Sequence, residues 1–151
     1  MNALFYAALT GTKSYNLSLG NITKAGLTSG TTYVVSYWTK NSSPLSITGT
    51  ITGYPLKGFT NSNGWTYYEH KVTGQTTITL SGTGNIDEVR LYPQSAEMTS
   101  YTYNPLTGVS SINDARAGIN FFEYDGFQRL VNIKDQYGNI VKNYTYHYYG
   151  Q

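Results

Sequence analysis

Two histidines and one pair of adjacent carboxylates are the side chains on which catalysis could depend in this chain. Neither His70 nor His147 has a serine, a cysteine or a second histidine at the spacing of a catalytic triad or a metal site. Asp87 and Glu88 are neighbours in a predicted strand, so they should point to opposite faces and cannot flank one glycosidic bond. With no cysteine in the chain, thiolate chemistry is also excluded. We predict that the protein is not an enzyme and has no catalytic residues.

Asp87 still needs a partner if its strand is half-buried. It shares the parity of Val89 and Leu91, which predicts that its carboxylate faces the core side of the sheet. An inward carboxylate must be met by backbone N–H groups or by a cation. Asp87 is therefore either a loop-capping residue or a metal ligand, and the sequence leaves both alternatives open.

Aromatic side chains are the other candidates for binding. Tyrosine contributes 16 residues and tryptophan two. Aromatic rings can stack on the C–H faces of sugars, which makes five residues candidate carbohydrate platforms: Trp38, Tyr54, Trp65, Tyr67 and Tyr68. The competing interpretation, favoured for Trp65, is that large aromatic residues form a sandwich core. Trp38 is predicted to face outward, because Tyr33, Val35 and Tyr37 share the other face of its strand.

The charge pattern excludes two classes of partner. The net charge is only +2, and neither half of the chain carries a clustered basic stripe, so we predict no nucleic-acid binding. A polybasic membrane anchor is also absent. Residues 1–9 are apolar but too short to span a bilayer, and we therefore predict no membrane insertion. We expect that the chain enters partway through a domain.

Hydrophobic periodicity predicts an all-β chain with no helix longer than about two turns. Apolar residues alternate with polar ones in several short segments, and none shows helical spacing. The predicted strands recur about every dozen residues, which is typical of a β-sandwich or barrel. They cover residues 13–19, 31–40, 45–51, 65–72, 76–80 and 85–93, with a loop predicted over residues 53–64.

Three of these segments carry a family resemblance. Residues 31–40, 64–68 and 86–93 stand in an order that resembles carbohydrate-binding-module-like β-sandwiches of the jelly-roll, galactose-binding type. The resemblance covers residues 10–93 and predicts a sandwich domain over residues 1–95, with its first strand missing. It implies carbohydrate as a possible ligand. It also implies that the cation beside Asp87, if there is one, is calcium, which prefers six or more oxygens.

After Met98 the sequence repeats itself. Tyr103-Asn104 recurs 21 residues later as Tyr124-Asp125, and a third start follows at residues 144–146. Residues 123–130 and 135–139 resemble the Rhs/YD repeat of bacterial secreted or cell-surface proteins, although Asn104 replaces the aspartate of the family pattern. The resemblance predicts a second domain over residues 96–151, made of two repeat hairpins and the start of a third. It also predicts an extracellular or cell-surface location.

Two functional hypotheses follow. The first is a non-catalytic extracellular module that binds carbohydrate on its aromatic residues. The second is a structural or assembly segment without a sugar ligand, in which open strand edges recruit other β-edges of the parent protein or a second copy of the chain. Residues 140–149 are aromatic, β-prone and nearly uncharged, so we expect that they pair with another strand.

Overall fold

The computed structural model describes residues 8–147, and they form an all-β protein, as predicted. Strands make up 49% of the structure. The one helical element in the described range is a single 3₁₀ turn at Leu17–Leu19, where a strand was predicted. It forms because the Asn16 side chain accepts a hydrogen bond from the Ser18 N–H at 2.9 Å and so caps the turn.

The chain divides into two compact units between Met98 and Thr99, three residues beyond the predicted boundary. All strand pairings in both units are antiparallel. The strands of the first unit are β1 (Tyr15–Asn16), β2 (Ile22–Ala25), β3 (Tyr33–Thr39), β4 (Ser46–Ile47), β5 (Leu56–Thr60), β6 (Thr66–Val72), β7 (Thr77–Ser81) and β8 (Asn85–Pro93). The strands of the second unit are β9 (Ser100–Asn104), β10 (Gly108–Asn113), β11 (Ile119–Tyr124), β12 (Leu130–Asp135) and β13 (Ile140–Asn143).

The first unit is a sandwich of two sheets. One sheet has the order β1-β8-β3-β6-β5 and the other has the order β2-β7-β4. Alternate residues of β3 and β6 meet alternate residues of β7 between the sheets, as the predicted periodicity requires. The buried core consists of Leu17, Val35, Tyr37, Leu45, Ile47, Tyr68, Val72, Ile78, Leu80 and Ile86.

The second unit is a five-stranded meander with the order β13-β12-β11-β10-β9. Each strand pairs with the next one along the chain, so every connection is a hairpin. β12 lies between β11 and β13, whereas β13 has no neighbour on its outer side among residues 8–147. The sheet therefore ends on an open edge at β13.

One turn type closes four hairpins of the protein. It begins at Asn61, Asp114, Asp125 and Asp135. In each case the first side chain's Oδ1 accepts hydrogen bonds from the N–H groups two and four residues later, at 2.8 to 3.0 Å. The residue three positions on has a positive φ, as Gly138 does at 89°. This geometry is a type I turn followed by a left-handed residue. In the turn that begins at Asp135, Gly138 takes a positive φ and Asn139 does not.

Candidate functional site

The indole ring of Trp38 is fully buried, so its predicted outward exposure is wrong. Trp38 does lie on the sheet face opposite Val35, as the alternation of β3 requires. That face is covered, because Phe59 packs edge-on against the indole with ring centroids 4.9 Å apart, and Tyr67 lies 5.6 Å away. Phe59 belongs to β5, which the sequence had suggested was part of a loop.

Trp65 and Tyr68 are buried as well. The Trp65 ring has no exposed surface, and the Lys40 ammonium lies 5.3 Å from its centroid. Tyr68 is 3% exposed and stacks on Tyr37 at 5.8 Å. Among the described residues, no acceptor meets the indole N–H of either Trp38 or Trp65. Three of the five candidate platforms therefore have protein, rather than solvent, against their ring faces.

Tyr54 and Tyr67 are the two candidates that keep partial exposure. Tyr67 is paired with Trp38 on the face away from the core, and its hydroxyl donates to Glu69 Oε2 at 3.2 Å. Burial raises the pKa of the Tyr67 phenol, so it acts as a neutral donor. Tyr54 lies beside an open cavity of about 380 Å³ that His70 also lines. His70 has the parity of the core residues of β6, whereas Lys71, whose ammonium lies 5.5 Å from the centroid of the Tyr54 ring, has the parity of Tyr67.

Asp87 caps the segment that follows the N-terminus. Its Oδ2 accepts hydrogen bonds from the N–H groups of Leu9 and Thr10 at 2.7 and 3.1 Å, and its Oδ1 accepts from Glu88 N–H at 2.8 Å. This is the backbone-capping geometry that the sequence offered as one alternative. Burial raises the pKa of Asp87, while these three N–H groups act in the opposite direction.

The predicted core-side position of Asp87 is wrong. Asp87 pairs with Trp38, and therefore lies on the face away from the core. The cause is a β-bulge, in which Glu88, whose φ is 49°, and Val89 together stand opposite the single residue Tyr37. One inserted residue reverses the parity of the strand on either side of it.

Because of the bulge, Asp87 and Glu88 both contact Thr10, although neighbouring residues of a regular strand point to opposite faces. Thr10 donates its hydroxyl to Glu88 Oε1 at 2.6 Å, and its N–H to Asp87 Oδ2. Glu88 Oε2 lies 4.0 Å from Arg90 Nε. These carboxylates accept hydrogen bonds from Leu9 and Thr10 and so hold that segment beside β8. Within residues 8–147, no three His, Cys, Asp or Glu side chains cluster as a metal site.

His70 is deeply buried, with 1% of its surface exposed. Its Nδ1 lies 2.9 Å from Thr50 Oγ1 and its Nε2 lies 3.2 Å from the Tyr37 hydroxyl. Burial lowers its pKa to about 4. The ring is a neutral hydrogen-bonded link between β3, β6 and the β4–β5 connection. The position of His70 among the alternating residues of β6 is the one feature of the sequence that indicates this role.

The edge strand β13 exposes both backbone and apolar side chains. Ile140 and Val141 are each 57% exposed. Tyr144 N–H donates to Val131 O at 2.9 Å, and backbone groups alternate in direction along a strand. Asn143 therefore directs its N–H and C=O away from β12. The Tyr146 ring lies against the Arg129 guanidinium at 4.4 Å, while Tyr148 and Tyr149 lie outside the described residues.

Comparison with known proteins does not assign the chain to a family. No protein-family model matches the chain, and no curated protein matches it significantly. Within the described range, no helix has the length and hydropathy needed to cross a membrane.

Proposed function

We propose that this chain is a non-catalytic structural module of a larger bacterial secreted or cell-surface protein, with a carbohydrate-binding-module-like sandwich followed by Rhs/YD repeats. Its function is assembly, and the edge of β13 accepts a further β-strand. The motifs of residues 31–40, 86–93 and 123–130 support the family part of the proposal. The repeated turn supports the second part, because a sheet built from one recurring hairpin is extended by adding the same unit.

One observation carries this proposal: β13 has an outer edge with no partner strand among the described residues. Asn143 directs its backbone groups outward, and Ile140 and Val141 present apolar surface beside it. No proline guards β13, and Lys142 is its one charged residue. Native edges that remain unpaired are normally blocked by such residues. With one lysine and no proline, β13 carries few of these devices, and its edge is suited to receive a strand.

Binding of an added strand tests the proposal. The probe is a labelled synthetic peptide with the β12 sequence, residues 129–136, titrated with the intact chain and followed by fluorescence anisotropy. We expect saturable binding to the wild-type chain and loss of binding to Asn143→Pro, which removes an outward N–H. Asn143→Ala is the matched variant, since it keeps the N–H and removes only the side-chain amide, and it should weaken binding less than Asn143→Pro. Equal binding to the proline variant, or no binding to the wild type, would contradict the proposal.

Carbohydrate binding is the second candidate function, and a specific observation favours it. Tyr54 is partly exposed beside an open cavity with hydroxyl groups from Ser46, Thr50 and Thr52. A ring face beside hydroxyl donors can hold a sugar. A glycan array with the intact chain tests this function. Binding that is lost in Tyr54→Ala and kept in Tyr67→Ala would place a sugar at this cavity.

A further inference from the structure

Three polar side chains form a hydrogen-bonded ladder across the outer strands of the second unit. Glu123, Asn132 and Asn143 are cross-strand neighbours on β11, β12 and β13. Asn143 Nδ2 donates to Asn132 Oδ1 at 2.7 Å, and Asn132 Nδ2 donates to Glu123 Oε2 at 3.0 Å. The ladder therefore runs from the open edge toward the middle of the sheet, with every donor pointing inward.

The chemistry of Glu123 fixes this direction. An ionised carboxylate only accepts hydrogen bonds, so Asn132 must turn its Nδ2 toward Glu123 and its Oδ1 toward Asn143. Asn143 must then donate to Asn132. The Lys134 ammonium lies 2.5 Å from Glu123 Oε1, and this hydrogen bond lowers the pKa of Glu123 and keeps it ionised. Reversing either amide would place two acceptors, or two donors, face to face.

At the open edge of the sheet, the last atom of the ladder is a hydrogen-bond acceptor, Asn143 Oδ1. The Nδ2 group of Asn143 has two hydrogens, and both are used, by Asn132 Oδ1 and by Val131 O at 3.2 Å. No donor among the described residues meets Asn143 Oδ1. This oxygen lies on the side of the amide away from the two acceptors. A residue placed opposite Asn143 would form a hydrogen-bonded pair with its outward backbone, with Cα atoms about 5.5 Å apart, and its side chain would lie within reach.

We propose that the strand which adds to β13 carries a side-chain donor, an amide or a cation, opposite Asn143. Asparagine, glutamine, lysine and arginine supply such a donor, whereas aspartate and glutamate present oxygens to an oxygen. The inference rests on the proposed function, and it names the chemistry of the partner. On the inner side Asn143 is the donor and Asn132 Oδ1 is the acceptor, so the partner on the outer side would take the opposite role.

The ladder also excludes one arrangement that the exposed edge would otherwise allow. Two copies of the chain could join β13 to β13 about a two-fold axis, as in a symmetric dimer. If Asn143 stood opposite its own copy, two acceptors would meet and neither amide would have a donor to spare. The polarity therefore favours addition of a different strand, such as another repeat hairpin, over a symmetric dimer in which Asn143 faces its own copy.

A peptide series tests the inference with the intact chain. The β12 peptide of residues 129–136 is made with asparagine, lysine or aspartate at position 132. We expect the asparagine and lysine peptides to bind with similar Kd, and the aspartate peptide to bind at least about fivefold more weakly, since one hydrogen bond is lost and two acceptors face each other. Gln136→Glu in the same peptide is the matched control, because it makes the same change of charge away from the ladder.

Replacing the acceptor at the edge with a donor gives a second readout. Asn143→Lys replaces the terminal acceptor with a donor, so the order of the asparagine and aspartate peptides should invert. Equal binding of all peptides to the wild-type chain would overturn the inference and leave the proposed function standing. No binding by any peptide would overturn both. A two-fold dimer joined through β13, seen by light scattering and lost in Asn143→Pro, would also contradict the inference.

Discussion

Lowering the pH should weaken the sandwich through His70. Two hydrogen-bond chains meet at this ring and fix its tautomer. Thr50 Oγ1 donates to Ile47 O at 2.8 Å, so it accepts from His70 Nδ1–H. On the other side, Leu45 N–H donates to the Tyr37 oxygen at 2.7 Å, so the Tyr37 O–H donates to His70 Nε2. A proton added at Nε2 would point at the hydroxyl proton of Tyr37. This arrangement of hydrogen bonds therefore favours the neutral ring.

The size of the effect follows from the shift in the pKa of His70. Burial lowers this pKa from 6.5 to about 4. Between these values the unfolded chain binds a proton and the folded chain does not. The free energy of unfolding therefore falls as the pH is lowered through this window, by ~1.4 kcal/mol per pH unit and ~3 kcal/mol in total. Below pH 4 the contribution should level off, because the folded state then binds the proton as well.

Urea unfolding from pH 7.5 to 4 measures this change. Both tryptophans lie in the sandwich and are fully buried, so their fluorescence reports on the sandwich separately from the repeat sheet. The comparison is with His70→Gln, which removes the titrating ring. His147→Gln is the matched control, since the side chain of His147 is exposed and lies outside the sandwich.

The difference in the free energy of unfolding between the wild type and His70→Gln separates the contribution of the histidine from that of carboxylates that titrate in the same pH range. We expect the stability of the wild type to fall by ~3 kcal/mol more than that of the variant as the pH drops from 6.5 to 4. His147→Gln should follow the wild type. Parallel curves for the wild type and His70→Gln would refute the argument that the buried ring is held neutral.

Three other predictions concern the core, the cap and the turns. Trp65→Ala should lower the free energy of unfolding of the sandwich by ~3–5 kcal/mol in urea denaturation followed by Trp38 fluorescence, because a fully buried indole is lost; an unchanged midpoint would show that Trp65 does not pack in a core. Added calcium should leave the melting temperature unchanged, because the oxygens of Asp87 are engaged by N–H groups; a rise reversed by EDTA and absent in Asp87→Ala would contradict this. Asp135→Ala should lower the thermal midpoint of the repeat sheet more than Asp135→Asn, which keeps an acceptor for the turn; equal midpoints would refute the capping role.

The periodicity of β3 was enough to predict which residues share a face, but not which face is exposed. Trp38 lies opposite Val35 as predicted, and only the cover over Trp38 was missed. That cover comes from β5, whose Gly58 hides its strand pattern. A Cβ added at Gly58 would lie 2.8 Å from the Tyr67 ring, so glycine allows this close approach. Exposure depends on a neighbouring strand, and alternation within β3 contains no information about it.

The position of Asp87 could not be predicted for a related reason. The β-bulge at Glu88 shifts the parity of β8, and no glycine or proline marks it in the sequence. The turns of the second unit were only partly readable. Gly138 marks its turn, whereas Ala117 and Gln128 take the same left-handed position with φ of 62° and 63° and carry no such mark. An aspartate begins three of the four turns of this unit, at Asp114, Asp125 and Asp135, and is the more reliable signal.

Hydrogen exchange at β13 tests the central claim, that this edge is open and receives a strand. In the free chain, the N–H of Tyr144 should exchange slowly, because it donates to Val131 O, and the N–H of Asn143 should exchange rapidly. Saturating peptide of residues 129–136 should slow exchange at Asn143 and leave Tyr144 unchanged. An Asn143 N–H that is already protected in the free monomer, or that stays unprotected with peptide bound, would contradict the account.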